Sequence, residues 1–286
     1  MTIYQEFIDT INEQLKSAHV YSKQIARRDS QLTIFSNRYD LKKIYNVFIY
    51  GVGKASVAQV SELILRLNDL DVKVKDHFAV TKNEKGEKGH YFQSSHPYVS
   101  ERSVEAFSLS GQFLSKIKED DLLLICLSGG ASALLECPKD NFNLKEIIAI
   151  NNDLLASGQN IYQINNQRKT YSLVKNGGMK GFVKSKNSCV LVMSDVTNND
   201  FSIIGSGPFY EKGGKNPDHF LMSSMDDIHQ IAINFFRKRA MPLEIVNEDH
   251  KVQTHAEGVD LFLQRGQELK DKDSYVLYPQ GSLISN

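Results

Sequence analysis

The sequence predicts an α/β fold, a mostly parallel sheet flanked by helices in a Rossmann-like three-layer arrangement, with a second, smaller and shortened α/β unit behind it. Three observations carry this expectation. Short β-rich apolar runs alternate with segments of helical period along the chain. Two of those runs, LLLICL at 122–127 and CVLVM at 189–193, are continuously apolar, as strands covered on both faces should be. Three of the runs end in loops of small polar residues, the usual ligand side of a parallel sheet.

The elements follow in order. Ile3, Phe7, Ile8, Ile11 and Leu15 recur with a helical period. A short strand over 44–50 runs into Gly51-Val52-Gly53-Lys54, and Val57, Val60, Leu63, Ile64 and Leu67 then mark one face of a helix. A second strand is expected over 77–81, a solvated Lys/Glu/Gly loop over 82–89 and a helix over 101–118. The strand at 122–127 precedes helices over 144–158 and 161–175, and the strand at 189–193 leads into Ser194-Asp195-Val196. Residues 212–218, rich in Gly, Lys, Asn and Pro, read as a linker. It divides a first α/β unit over 1–211 from a second over 216–286, in which strands at 219–222, 243–246 and 275–278 alternate with helices at 226–239 and 254–270.

Composition narrows the function classes. Lys+Arg and Asp+Glu both number 34, so no global basic field favours nucleic acid or anionic lipid. The three cysteines, Cys126, Cys137 and Cys189, have no metal-type spacing and suit a reducing compartment. Glu6 and Asp9 stand where a signal peptide needs apolar residues, and no run approaches the roughly 18 apolar residues of a membrane span. The expectation is a cytoplasmic protein acting on small molecules, without nucleic-acid or membrane partners. Homo-oligomerisation stays open.

The chemistry should sit where the three loops open on one sheet edge. Gly51, Gly53 and Lys54 place two glycines and a cation before a helix, a combination suited to a phosphate or carboxylate. A tight turn with a surface lysine is the plainer reading. GVGKAS also imitates a dinucleotide fingerprint with Ser56 in the third position, and Asp69 and Asp71 follow at about the right distance of 20 residues. They precede the next strand, however, whereas a ribose-binding acid should end it. Ser128-Gly129-Gly130-Ala131-Ser132 forms a second anion cradle, or else an ordinary strand–helix turn. Asp195, with Asp200 five residues on, offers a carboxylate for Mg²⁺ or for a hydroxyl proton; turn capping is the alternative. Arg168, in the donor-rich stretch 165–169, suits a bidentate anion contact or a solvated helix face. His96 precedes Pro97 in a short polar loop, where a lone histidine more often serves structure than catalysis.

In order and spacing, GVGKAS, SHPYVSE, LSGGASALLECP, LLASGQNIYQINNQRKTYSLVKNGG and SDVTNNDFSIIGSGP resemble the type II glycerate 2-kinase family. Its members join an N-terminal α/β domain to a smaller domain called MOFRL. The resemblance is strong over 51–208 and looser beyond. It implies ATP-dependent phosphorylation of D-glycerate to 2-phosphoglycerate with a divalent cation such as Mg²⁺. Lys54 stands at the family's active-site lysine. Ser128, Gly129, Gly130 and Ser132 match its SGGxSAL loop, and Asn165, Arg168 and Lys169 match its Asn-x-x-Arg-Lys element. Asp195, Asp200, Ser206, Gly207 and Pro208 match the SDV…D…SGP element. The resemblance thus implies catalytic roles for Lys54, Asp195 and Arg168. Gly51, Gly53, the Ser128 loop, Asn165, Ser206 and Gly207 would bind substrate or phosphate, and Asp195 with Asp200 would hold the metal.

The departures are specific. Ala131 replaces a loop glycine, and the K-G-G-R-L-A run reads Lys175-Asn176-Gly177-Gly178-Met179, without its arginine. Gln280-Gly281-Ser282 stands where Gly-Gly-Glu is usual, and the Gly-Arg-Gly-Gly-Arg-Asn-Gln-Glu motif is absent, which implies a C-terminally shortened MOFRL-like unit. Two other functions remain alternatives: a catalytically impaired relative that binds nucleotide or a small acid, and an NAD(P)-dependent hydroxypyruvate reductase suggested by the GxGxxS turn.

Overall fold

The computed structural model describes residues 3–82, 89–159, 161–196 and 198–239. In chain order the helices are α1 (Ile3–Leu15), α2 (Ser17–Gln24), α3 (Ser56–Asp69), α4 (Glu101–Ser115), α5 (Ala131–Leu134), α6 (Leu144–Ala156), α7 (Ile161–Tyr171) and α8 (Met225–Lys238). The strands are β1 (Ile25–Arg28), β2 (Gln31–Ile34), β3 (Asn37–Asp40), β4 (Val47–Val52), β5 (Val74–Thr81), β6 (Tyr91–Gln93), β7 (Leu122–Ser128), β8 (Asn187–Met193) and β9 (Asp218–Ser223). The expected strands at 243–246 and 275–278, the helix at 254–270 and the Gln280-Gly281-Ser282 segment lie outside the described residues.

Six strands form one sheet in the order β6-β5-β4-β7-β8-β9, and every neighbouring pair is parallel. The apolar runs dictate this. All seven residues of β7 and all six of β4 are buried, so both faces need cover. The period of two sorts β7 between two layers. Leu123, Ile125 and Leu127 join Phe113 and Leu114 of α4 on one face. Leu122, Leu124 and Cys126 join Val60, Leu63 and Leu67 of α3 on the other. A fully buried leucine such as Leu124 contributes roughly 2–5 kcal/mol relative to alanine.

Two expectations need correction. Strands and helices do not alternate throughout, because residues 25–40 form a three-stranded antiparallel meander, β1-β2-β3. Only Ile25, Leu32, Ile34 and Tyr39 of it are buried, so no apolar run announces it. Two tight turns pin its register, with Asp29 and Phe35 held at φ of 50° and 52°. The expected helix over 161–175 ends at Tyr171, which frees Lys175 to enter the core.

The 212–218 segment leads into β9, which pairs with β8. Residues 218–223, assigned by composition to the second unit, therefore extend the sheet of the first. The helix expected at 226–239 is present as α8. Its Phe235 ring lies 5.2 Å from that of Phe7 in α1, and Arg239 reaches Glu6 at 2.9 Å.

Candidate functional site

Strands β4, β7 and β8 are adjacent and parallel, so the loops at their carboxyl ends share one edge. Backbone contacts lock the first two together. The Lys54 amide donates to the Gly129 carbonyl at 2.9 Å, and the Ala55 amide donates to Ser128 Oγ at 3.0 Å. Gly53 has φ of +132°, and a Cβ there would stand 2.2 Å from Ser128 Oγ, so only glycine lets the loops touch.

The third loop arrives from β8. Lys54 Nζ lies 3.7 Å from Asp195 Oδ2, and the two side chains remain 25 % and 36 % exposed, open to a ligand. Gly129 lies under this pair: a Cβ on it would stand 1.9 Å from Asp195 Oδ2. Gly130, at φ of +88°, has Lys54 Cγ and His96 Cδ2 packed where its side chain would be. His96 therefore packs beside Gly130 and the Lys54 stem, next to the candidate site. Burial, then the nearby Lys54 and Lys82 charges, push its pKa down to about 4, so it is neutral near pH 7.

Behind the loops runs a buried polar chain. Arg168 donates from Nη1 to Ser132 Oγ at 3.3 Å and from Nε to Asn151 Oδ1 at 2.9 Å. The Ser132 and Ser206 hydroxyls are 2.8 Å apart, and Ser206 Oγ donates to Asn165 Oδ1 at 2.7 Å. Asn165 Nδ2 donates to the Ile203 carbonyl. Burial lowers the Arg168 pKa from its usual value. Deeper still, Lys175 Nζ lies 3.2 Å from Glu136 Oε2 with both side chains fully buried. It also donates to the Ser132 and Leu135 carbonyls at 2.6 and 3.0 Å, which ties down the end of α5. Glu136 accepts from the Ser172 hydroxyl and, at 2.9 Å, from the Cys137 amide.

The predicted residues therefore divide. Lys54, Gly53, Gly129, Gly130 and Asp195 meet at the open edge. Ser132, Asn165, Arg168, Ser206 and Gly207 form the brace behind it. Gly207, at φ of +61°, accepts the Gly177 amide at 2.7 Å. Gly51 lies inside β4, where a Cβ would stand 2.7 Å from Val60, so it serves the packing of α3 on the sheet. Ser128 Oγ is engaged by the Ala55 amide. Asp200 caps its own turn, with Oδ1 accepting the Ser202 amide at 2.8 Å. Among the described residues, three metal-type ligands are grouped at Asp76, His77 and His90, which does not involve Asp195 or Asp200. Asp69 and Asp71 sit at the α3–β5 connection, ahead of β5 and thus at the opposite sheet edge.

Sequence reasoning overlooked Glu136 and Lys175. The signal for them is weak: a lysine and a glutamate inside otherwise apolar or small-residue segments.

A family model described as a domain of unknown function, DUF4147, matches residues 4–229. The chain belongs to this family. The chain has curated relatives that are named glycerate 2-kinase. It is 28 % identical over 214 residues to the glycerate 2-kinase of Pyrococcus horikoshii, covering 73 % of this chain and 47 % of that protein. It is 29 % identical over 197 residues to a protein of Agrobacterium vitis named putative hydroxypyruvate reductase, covering 66 % of this chain and 43 % of that one. The DUF4147 chain thus spans about half the length of these relatives. Its fold is similar to a crystal structure of Thermotoga maritima glycerate kinase, with a TM-score of 0.68 at 21 % identity over 85 % of this chain and 64 % of that one. No helix among the described residues is long and apolar enough to cross a membrane.

Proposed function

We propose that this chain carries glycerate 2-kinase chemistry, the ATP-dependent transfer of a phosphoryl group to the 2-hydroxyl of D-glycerate. The observation that supports it most is the Lys54–Asp195 pair, held open above Gly129 at the carboxyl edge of the sheet. Phosphoryl transfer asks mainly for positioning and charge stabilisation. In this reading the Lys54 ammonium stabilises charge on the transferring group. Amides of the Ser128 loop and the α5 N-terminus orient an anionic oxygen. Asp195 accepts the proton of the attacking hydroxyl or contributes a metal ligand. Arg168 acts from behind, by holding Ser132 and through it the loop.

Asp195 fits Mg²⁺: it is one hard, partly exposed carboxylate, and Mg²⁺ commonly takes one or two carboxylates with substrate phosphates and water. A bound Mg²⁺ would supply charge neutralisation on the phosphates. Asp200 fits less well, since its Oδ1 is committed to the Ser202 amide. The reading includes a cytoplasmic location and a MOFRL-like unit that begins beyond the sheet strand at 218–223.

The test is ³¹P NMR of the chain with ATP, Mg²⁺ and D-glycerate, beside the Pyrococcus relative as a positive control. Appearance of 2-phosphoglycerate supports the proposal. Binding of ATP or glycerate by calorimetry without product would select the impaired relative instead. The reductase alternative is less favoured, because Asp69 and Asp71 precede β5 and so lie at the sheet edge opposite the GxGxxS turn.

A further inference from the structure

A cavity of about 460 Å³ opens beside the Lys54 site, lined by residues that include Lys82, Gln93, Ser95, His96, Ser100 and Arg102. His96 is the shared wall, since its ring also packs over Gly130 against the Lys54 stem. Among the described residues the lining carries two cations and no carboxylate, in a protein whose net charge is zero. Arg102 is held in place: Nε donates to the Gln93 carbonyl at 2.8 Å, Nη2 donates to the same oxygen, and the guanidinium stacks 4.7 Å from the Phe92 ring centre. A guanidinium fixed in advance loses little entropy on meeting an oxyanion. Lys54 and Lys82 both lie near enough to His96 to disfavour its protonation.

We propose that this cavity is a subsite for a phosphate chain, with Lys82 and Arg102 as its cationic partners and His96 as the wall shared with Lys54. On the phosphoryl-transfer reading above, the chain is that of the donor nucleotide, and the subsite aims its terminal phosphate at Lys54. The chemistry recognised is a run of phosphate oxyanions, so inorganic tripolyphosphate should bind on its own.

The experiment is calorimetric titration of the intact protein with tripolyphosphate, ATP and, separately, D-glycerate. It is repeated with Lys82→Gln, Lys82→Glu and the double variant Lys82→Gln/Arg102→Gln. The Lys82 side chain makes no hydrogen bond among the described residues, so its variants keep the test valid if loss of Arg102 disturbs folding. Tripolyphosphate and ATP should bind the wild type and weaken tenfold or more in the variants, with D-glycerate affinity unchanged. Wild-type affinity for tripolyphosphate in the variants overturns the subsite, as does its failure to bind the wild type. A parallel fall in D-glycerate affinity overturns it in favour of a carboxylate site. The kinase reading fails separately: absence of 2-phosphoglycerate alongside intact, charge-dependent tripolyphosphate binding leaves the subsite standing.

Discussion

Lys54 Nζ lies 3.7 Å from Asp195 Oδ2 although their parent strands, β4 and β8, are separated by β7. The two side chains meet above the intervening loop because Gly129 leaves no Cβ there. That relationship makes the site testable at three positions.

Lys54→Met should reduce kcat/KM for glycerate phosphorylation by about a hundredfold or more, the usual loss when a charge-stabilising donor is removed. Steady-state kinetics checks this. Turnover within a few-fold of wild type would show that Lys54 is not at the chemistry.

Gly129→Ala should leave the fold intact and impair activity. Its Cβ meets the end of a flexible side chain, so Asp195 swings aside and the backbone need not move. Because both changes act through one carboxylate, adding Asp195→Asn should cost little more, a non-additivity that a double-mutant cycle measures. Additive losses would mean that Gly129 acts by another route.

Lys175→Met should destabilise the protein by about 3–5 kcal/mol, since it strands Glu136 as a buried unpaired charge. Burial already lowers the Lys175 pKa, with Glu136 opposing that shift. Replacing both partners, as Glu136→Leu/Lys175→Met, should recover much of the loss. Urea unfolding reads both variants.

His96 sets a pH dependence. Its folded pKa of about 4 lies below the unfolded value near 6.5. Folding therefore favours the neutral ring, and that contribution is complete above pH 6.5 or so and is lost as pH falls toward 4. Stability measured between those values should decline with acid in the wild type and less steeply in His96→Gln. Equal slopes would contradict the burial of the ring.

Much of this was legible in the chain. LLLICL and CVLVM appear as the interior strands β7 and β8, and all three polar loops converge on one edge, because a parallel sheet places every such loop at its carboxyl end. The meander over 25–40 escaped notice because its buried residues are spaced among Arg, Asp, Gln and Asn. The roles of single residues were less legible still. Gly51 and Gly53 share one motif, yet one packs a helix on the sheet and the other admits a neighbouring loop. Asp195 and Asp200 share another, yet one faces Lys54 and the other caps a turn.

Sequence alone determined the α/β class, the family and the three loops, because apolar period and motif order are properties of the chain itself. Tertiary structure decided which members of those loops face outward. It joined Lys54 to Asp195, drew His96 to their side and set Arg168, Asn165 and Lys175 behind them. The reason is physical: each of those contacts links segments far apart in the chain, and strand order, crossover packing and the space left by a missing Cβ select among them.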